Sequence, residues 1–179
     1  MATKPPLKKP MTAAEEEAAF YEEIGRTTIA WSGVEIALCA LFGRIITPAD
    51  PRGIVAMCAV DAFRPRIGMI TDVIQFRSGA ETKYKTTWGG IAKRLTTRQS
   101  KRSRIVHGNA VTDGKADSGK RIYLVPPLFS PLTHISLDDG SVQPMYIKDI
   151  KAARDEFSAV MHETLAFMET LPKPVRLRQ

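Results

Sequence analysis

Apolar residues near the start of the chain fall on one stripe: Phe20, Ile24, Trp31, Leu38, Phe42 and Ile45. That spacing predicts a helix. Thr12 with Glu15 three residues on is a capping box that opens it. Thr47-Pro48 stops it after about Ile46, while Gly25 and Gly33 predict a departure from a straight rod. A second helix follows Asp50-Pro51, with proline in its first turn, and covers Ile54 to about Val60. A third covers about Ala62 to Phe76, with Pro65 tolerated in its first turn. After the break at Ser78-Gly79-Ala80, a fourth runs from about Thr82 to His107 and stops at Gly108.

The pattern then changes. From Asn109 to Ile147 there are two Asp-Gly pairs, Asp113-Gly114 and Asp139-Gly140, together with Pro126-Pro127. Short β-prone runs lie at 121–125, 134–137 and 141–147, predicting a small hairpin-like insertion. A closing helix from about Lys148 to Leu171 gathers Ile150, Phe157, Val160, Met161, Leu165, Met168 and Leu171 on one face. The predicted fold class is therefore all-α in the main: a helical bundle of about five helices with a small β-hairpin insertion before the last. Residues 12–171 read as a single domain with its insertion at 109–147, between disordered basic tails at 1–11 and 172–179.

Charge narrows the functional classes less than it first promises. The net charge is +7, but Lys4, Lys8, Lys9, Lys173, Arg176 and Arg178 lie in tails without acids, and the body is nearly neutral. A basic patch for nucleic acid must therefore be local. The longest apolar run, residues 36–42, is far below the ~20 residues that span a bilayer. With no secretory leader pattern, a cytoplasmic protein that does not engage a membrane is expected. Cys39 and Cys58 sit in apolar helical context and read as core thiols rather than a disulfide or metal site. No zinc, Walker, dinucleotide or serine-hydrolase motif occurs, so neither metal nor cofactor is expected.

The fourth helix holds the best candidate chemistry. On a wheel of about 100° per residue, Tyr84, Trp88, Ile91, Leu95 and Val106 form an apolar sector, and Lys93, Arg94, Lys101 and Arg104 a basic one. His107 borders the basic sector, whereas Arg102 falls within the apolar one. A core-facing guanidinium needs a partner, and Glu35 at the edge of the first helix's stripe is the expected one. A histidine near a fixed arginine can cut RNA: the imidazole moves the protons and the guanidinium stabilises charge on the phosphate. Arg102 and His107 point about 140° apart on a regular helix, so a homodimer is expected to bring two such pairs into one cleft.

The run Arg102-Ser103-Arg104-Ile105-Val106-His107-Gly108 resembles the Arg-x4-His signature of the HEPN family (higher eukaryote and prokaryote nucleotide-binding domains). Residues 21–38, with Trp31 and Glu35 in a Trp-x3-Glu arrangement, look like the first helix of HEPN-like bacterial proteins, and residues 146–171 like their closing helix. The resemblance implies a helical bundle, usually dimeric, that cuts RNA without metal at the dimer interface. It assigns Arg102 and His107 as catalytic, Glu35 and Ser103 as supports, and Lys93, Arg94, Lys101 and Arg104 as the RNA contacts. The chain departs from the pattern at Ser103, where asparagine or another strongly polar residue commonly follows the arginine, and in the insertion after Gly108. Two alternatives stay open: a non-catalytic HEPN-like module that binds a protein partner in a defence or toxin–antitoxin system, and a DNA-associated accessory protein.

Overall fold

Thr12 and Glu15 form the capping box read from the sequence. The Thr12 amide donates to Glu15 Oε2 at 2.7 Å, and the Glu15 amide donates to Thr12 Oγ1 at 3.3 Å. These bonds satisfy amides that the first helical turn leaves open. The helix that follows, α1 (Ala13–Ile46), continues unbroken through both glycines. The structure is a computed structural model in which residues 11–46, 52–77, 82–127 and 143–172 are described. The expected tail disorder at 1–10 and 173–179 and the expected run at 134–137 lie outside the described residues. So does the break at Ser78-Gly79-Ala80.

Four further helices complete the bundle: α2 (Arg52–Cys58), α3 (Phe63–Arg77), α4 (Thr82–His107) and α5 (Ile147–Thr170). The mainly helical architecture with a β insertion before the last helix is as the pattern predicts. A three-stranded antiparallel sheet in the order β1 (Asn109–Thr112), β2 (Ile122–Val125), β3 (Met145–Tyr146) forms the insertion. Strand β1 was not among the expected runs; it is mostly exposed and pairs Val111 with Tyr123. It lacks the apolar alternation by which a strand is recognised. Asp113-Gly114 does open the expected turn, where Asp113 Oδ1 accepts from the Lys115 amide at 2.9 Å.

The core runs along a helical stripe of α1: Phe20, Trp31, Val34, Leu38, Leu41 and Ile45 are all buried. α5 lies along this stripe, with Phe157 edge-on to Trp31 at 5.0 Å between ring centroids. Gly33 allows the approach, because a Cβ there would lie 2.7 Å from Met161 Sδ. The buried line of α5 passes through Ala153, Thr164 and Phe167, with Met161 and Met168 packed beside it. It is therefore rotated slightly from the face read in the sequence. By length and composition α1 is also the one described helix that qualifies as membrane-spanning, though half of that stretch is buried in the bundle. The uninterrupted run at 36–42 understates how apolar the whole helix is.

Polar residues also occupy this stripe. Glu23 Oε1 pairs with Arg154 Nη1 of α5 at 2.7 Å. Glu16, 6% exposed, anchors the insertion: it accepts from the Ser118 hydroxyl and from the Gly119 amide at 3.0 Å, and faces Arg121 at 3.7 Å. The Ser118 hydroxyl, with smaller contributions from Gly119 and Arg121, holds its carboxyl below the usual 4.5. Because the folded value is depressed, Glu16 contributes stability above the unfolded value that is lost as pH falls through the folded one. Glu16→Gln should thus lower the urea midpoint at pH 7, and this deficit should shrink at pH 3. An equal deficit at both values would show that ionisation is irrelevant. A second prediction concerns Gly108, where a Cβ would meet two backbone oxygens, Arg104 O at 2.5 Å and Val125 O at 3.1 Å. Gly108→Ala should destabilise by roughly 1–3 kcal/mol in urea unfolding, whereas Gly33→Ala should cost less because the Met161 thioether can turn aside.

Candidate functional site

The buried line of α4 is Trp88, Ile91, Leu95 and Ile105. Between Leu95 and Ile105 the same line passes through Arg98 and Arg102, so two guanidinium groups stand at core-facing positions. Ile105 takes the buried place expected of Val106, which is 39% exposed. Arg98 is satisfied by α5: its Nε donates to Glu156 O at 3.2 Å and lies 3.8 Å from Glu156 Oε2. Arg102 is not. Its Nε is buried without a hydrogen-bond partner among the described residues.

The expected Glu35–Arg102 ion pair does not form. Glu35 accepts from the Trp31 indole at 3.2 Å and faces Arg66 of α3 at 3.9 Å. The third helix, whose first turns run alongside Glu35, supplies the cation, which a comparison of α1 and α4 alone could not reveal. Glu35 and Arg102 nonetheless line one pocket of about 520 Å³, with Trp31, Phe63, Arg64 and Gln99 also in its wall. Trp31 is 3% exposed and Trp88 1%, both core residues as read from the stripe. Trp31 packs on Phe63 at 5.0 Å, which makes the pocket floor aromatic.

The basic sector is largely neutralised by α5. Arg94 makes a two-pronged pair with Glu163, its Nε donating to Oε2 at 3.0 Å. Lys101 Nζ lies 2.6 Å from Glu156 Oε1. Arg104 donates to Gln143 O at 2.7 Å. Lys93 is exposed and makes no side-chain hydrogen bond or ion pair among the described residues. Lys101 and Arg104 line a different pocket, about 420 Å³, with Tyr146 and Lys148 at the start of α5.

His107 ends α4 and is exposed, with Ser103 half-buried one turn before it. A step of five positions along the helix carries Arg102 to His107, about 7.5 Å along the axis and about 140° around it. A single chain thus does not bring them to a common point: Arg102 lines the Glu35 pocket, while His107 is exposed to solvent. Sequence reasoning missed Arg66, Arg98 and Gln99. Arg98 was detectable, four residues before Arg102 on the same stripe; Arg66 carried no such signal. Among the described residues no group of three His, Cys, Asp or Glu is placed to hold a metal ion. Compared with known proteins, the chain matches no family model, no curated protein and no solved structure.

A buried guanidinium nitrogen without a partner is costly, about 1–3 kcal/mol for a polar group. Arg102→Met should therefore leave stability unchanged or raise it, while Arg98→Met, which loses the Glu156 contacts, should lower it. Urea midpoints of the two variants decide the matter. A substantial loss in Arg102→Met would mean that the guanidinium holds the bundle together.

Proposed function

We propose that the chain is a cytoplasmic HEPN-like, RNA-binding homodimer that cleaves RNA without a metal ion. The observation that supports this most is Arg102, a guanidinium at a core-facing position with its Nε unpartnered and a pocket in front of it. Arg44 Nε of α1 is likewise buried without a partner among the described residues, but Arg102 stands in a pocket wall beside Arg64, where an anionic ligand would give the guanidinium its partner. In this reading His107 takes the proton from a ribose 2′-hydroxyl, the 2′-oxygen attacks phosphorus, the P–O5′ bond breaks, and the imidazolium returns the proton to the departing 5′-oxygen. Arg102 stabilises the charge that develops on the phosphate. Glu35 and Ser103 support the site, and Lys93, Arg94, Lys101 and Arg104 border the path of the strand. The 140° divergence of the two catalytic groups is why the dimer matters: the second α4 closes the cleft.

A second reading has one observation in its favour. Glu156 and Glu163 already hold Lys101 and Arg94, which leaves few free cations for a phosphate backbone. A non-catalytic HEPN-like module that docks a protein partner would need none. One experiment separates the two. Purified protein is incubated with mixed RNA in EDTA beside His107→Ala and Arg102→Ala. The enzyme reading expects 2′,3′-cyclic phosphate ends, with activity falling by about 10²-fold or more in each variant. Intact RNA at every protein ratio, with a stable dimer, supports the module instead.

A further inference from the structure

Cys39 and Cys58 lie on different helices, yet their sulfurs are 3.4 Å apart. Cys39 is buried within α1, and Cys58 is the exposed last residue of α2. The two thiols hydrogen-bond to each other. Burial, then the hydrogen bond to Cys58, pushes the Cys39 thiol up to about 11. The buried thiol is thus held protonated, and an oxidant from solvent meets Cys58 first.

We propose that Cys58 is a peroxide-reactive thiol and Cys39 its resolving partner, the two closing to a disulfide that ties α1 to the end of α2. The Cys58 sulfur attacks one oxygen of hydrogen peroxide and the O–O bond breaks. Sulfur is oxidised by two electrons to the sulfenic acid, and the other oxygen leaves as water. The Cys39 sulfur then displaces the sulfenic oxygen. The S–S bond forms as the S–O bond breaks, and the Cys39 proton departs with that oxygen as a second water. The sulfurs must close from 3.4 Å to about 2.05 Å. That movement falls on the final residue of a seven-residue helix, where the chain is already turning out of helical geometry.

The position gives the reaction a consequence. Two residues beyond Cys58, Val60 O accepts from Arg66 Nε at 2.6 Å, and Arg66 in turn faces Glu35. The disulfide would fix the strand of chain that leads into the Phe63–Arg64 wall of the Arg102 pocket. Oxidation of this pair therefore acts on the pocket whatever ligand it takes.

The test uses the full-length reduced protein, hydrogen peroxide at neutral pH, intact mass and peptide mapping, none of which depends on RNA cleavage. The expected result is a mass loss equal to two hydrogen atoms, one Cys39–Cys58 linked peptide and reversal by dithiothreitol. In Cys39→Ser, Cys58 should stop at a sulfenic acid that dimedone captures. In Cys58→Ser, Cys39 should stay unmodified. The proposal is overturned if both thiols of the wild type remain alkylatable, if Cys58 proceeds to the sulfinic acid unlinked, or if the disulfide forms between chains.

Discussion

The bundle depends on the close approach of α5 to α1. Among the described helices these two share the most extensive packing, and Gly33 brings the seam together by leaving room for Met161. Trp31 sits at its middle, between Phe157 and Phe63, so one ring joins α1, α3 and α5. The burial of these large side chains is the main favourable term, each worth about 1.5–3 kcal/mol by transfer. Glu23 and Arg154 pair within the same seam. A buried pair of this kind adds little net stability; here it ties one helical register to the other.

That seam also determines what α4 can do. With α5 fixed against α1, its outer edge presents Glu156 and Glu163 to α4, and these carboxylates take up Arg98, Lys101 and Arg94. The face that reads as a basic stripe is therefore mostly internal pairing between helices. Arg102, one turn beyond Arg98 on the same line, forms no pair with those carboxylates, and Glu35 is engaged by Trp31 and Arg66. The fold thus partners Arg94, Arg98, Lys101 and Arg104 on α4 and leaves the buried Arg102 Nε without a hydrogen bond among the described residues. Within this helix, it is the arginine whose position packing explains least.

Much of the fold was legible in the chain. Thr12 and Glu15 marked the start of α1, Gly108 the end of α4, and apolar spacing the helices between, because those signals are local. The centre of the α1 stripe was less legible, since Glu16, Glu23 and Thr27 occupy buried positions that an apolar count passes over. Glu16 and Glu23 each meet a partner distant in sequence, and Thr27 bonds to the backbone of its own helix and of α5, which periodicity does not encode. The same limit explains the Glu35 error: two helices suggested a pair, and a third supplied the true neighbour. Arg102 at a core-facing position was legible from the wheel alone; that its Nε lacks a partner was not. The facing of Cys39 and Cys58 also required the fold, since α2 is too short to show a stripe.

In the proposed reading Arg102 serves an anionic ligand rather than the bundle. The most direct measurement compares Arg102→Met with wild type for affinity toward a 2′-O-methyl RNA, which binds but cannot be cut through its 2′-oxygen, alongside the urea midpoint of each. Arg102→Met should show wild-type stability or better, with affinity reduced by about tenfold or more, the loss of one charge-assisted contact. A variant that binds this RNA as the wild type does, or that fails to bind only because its midpoint has collapsed, would contradict it.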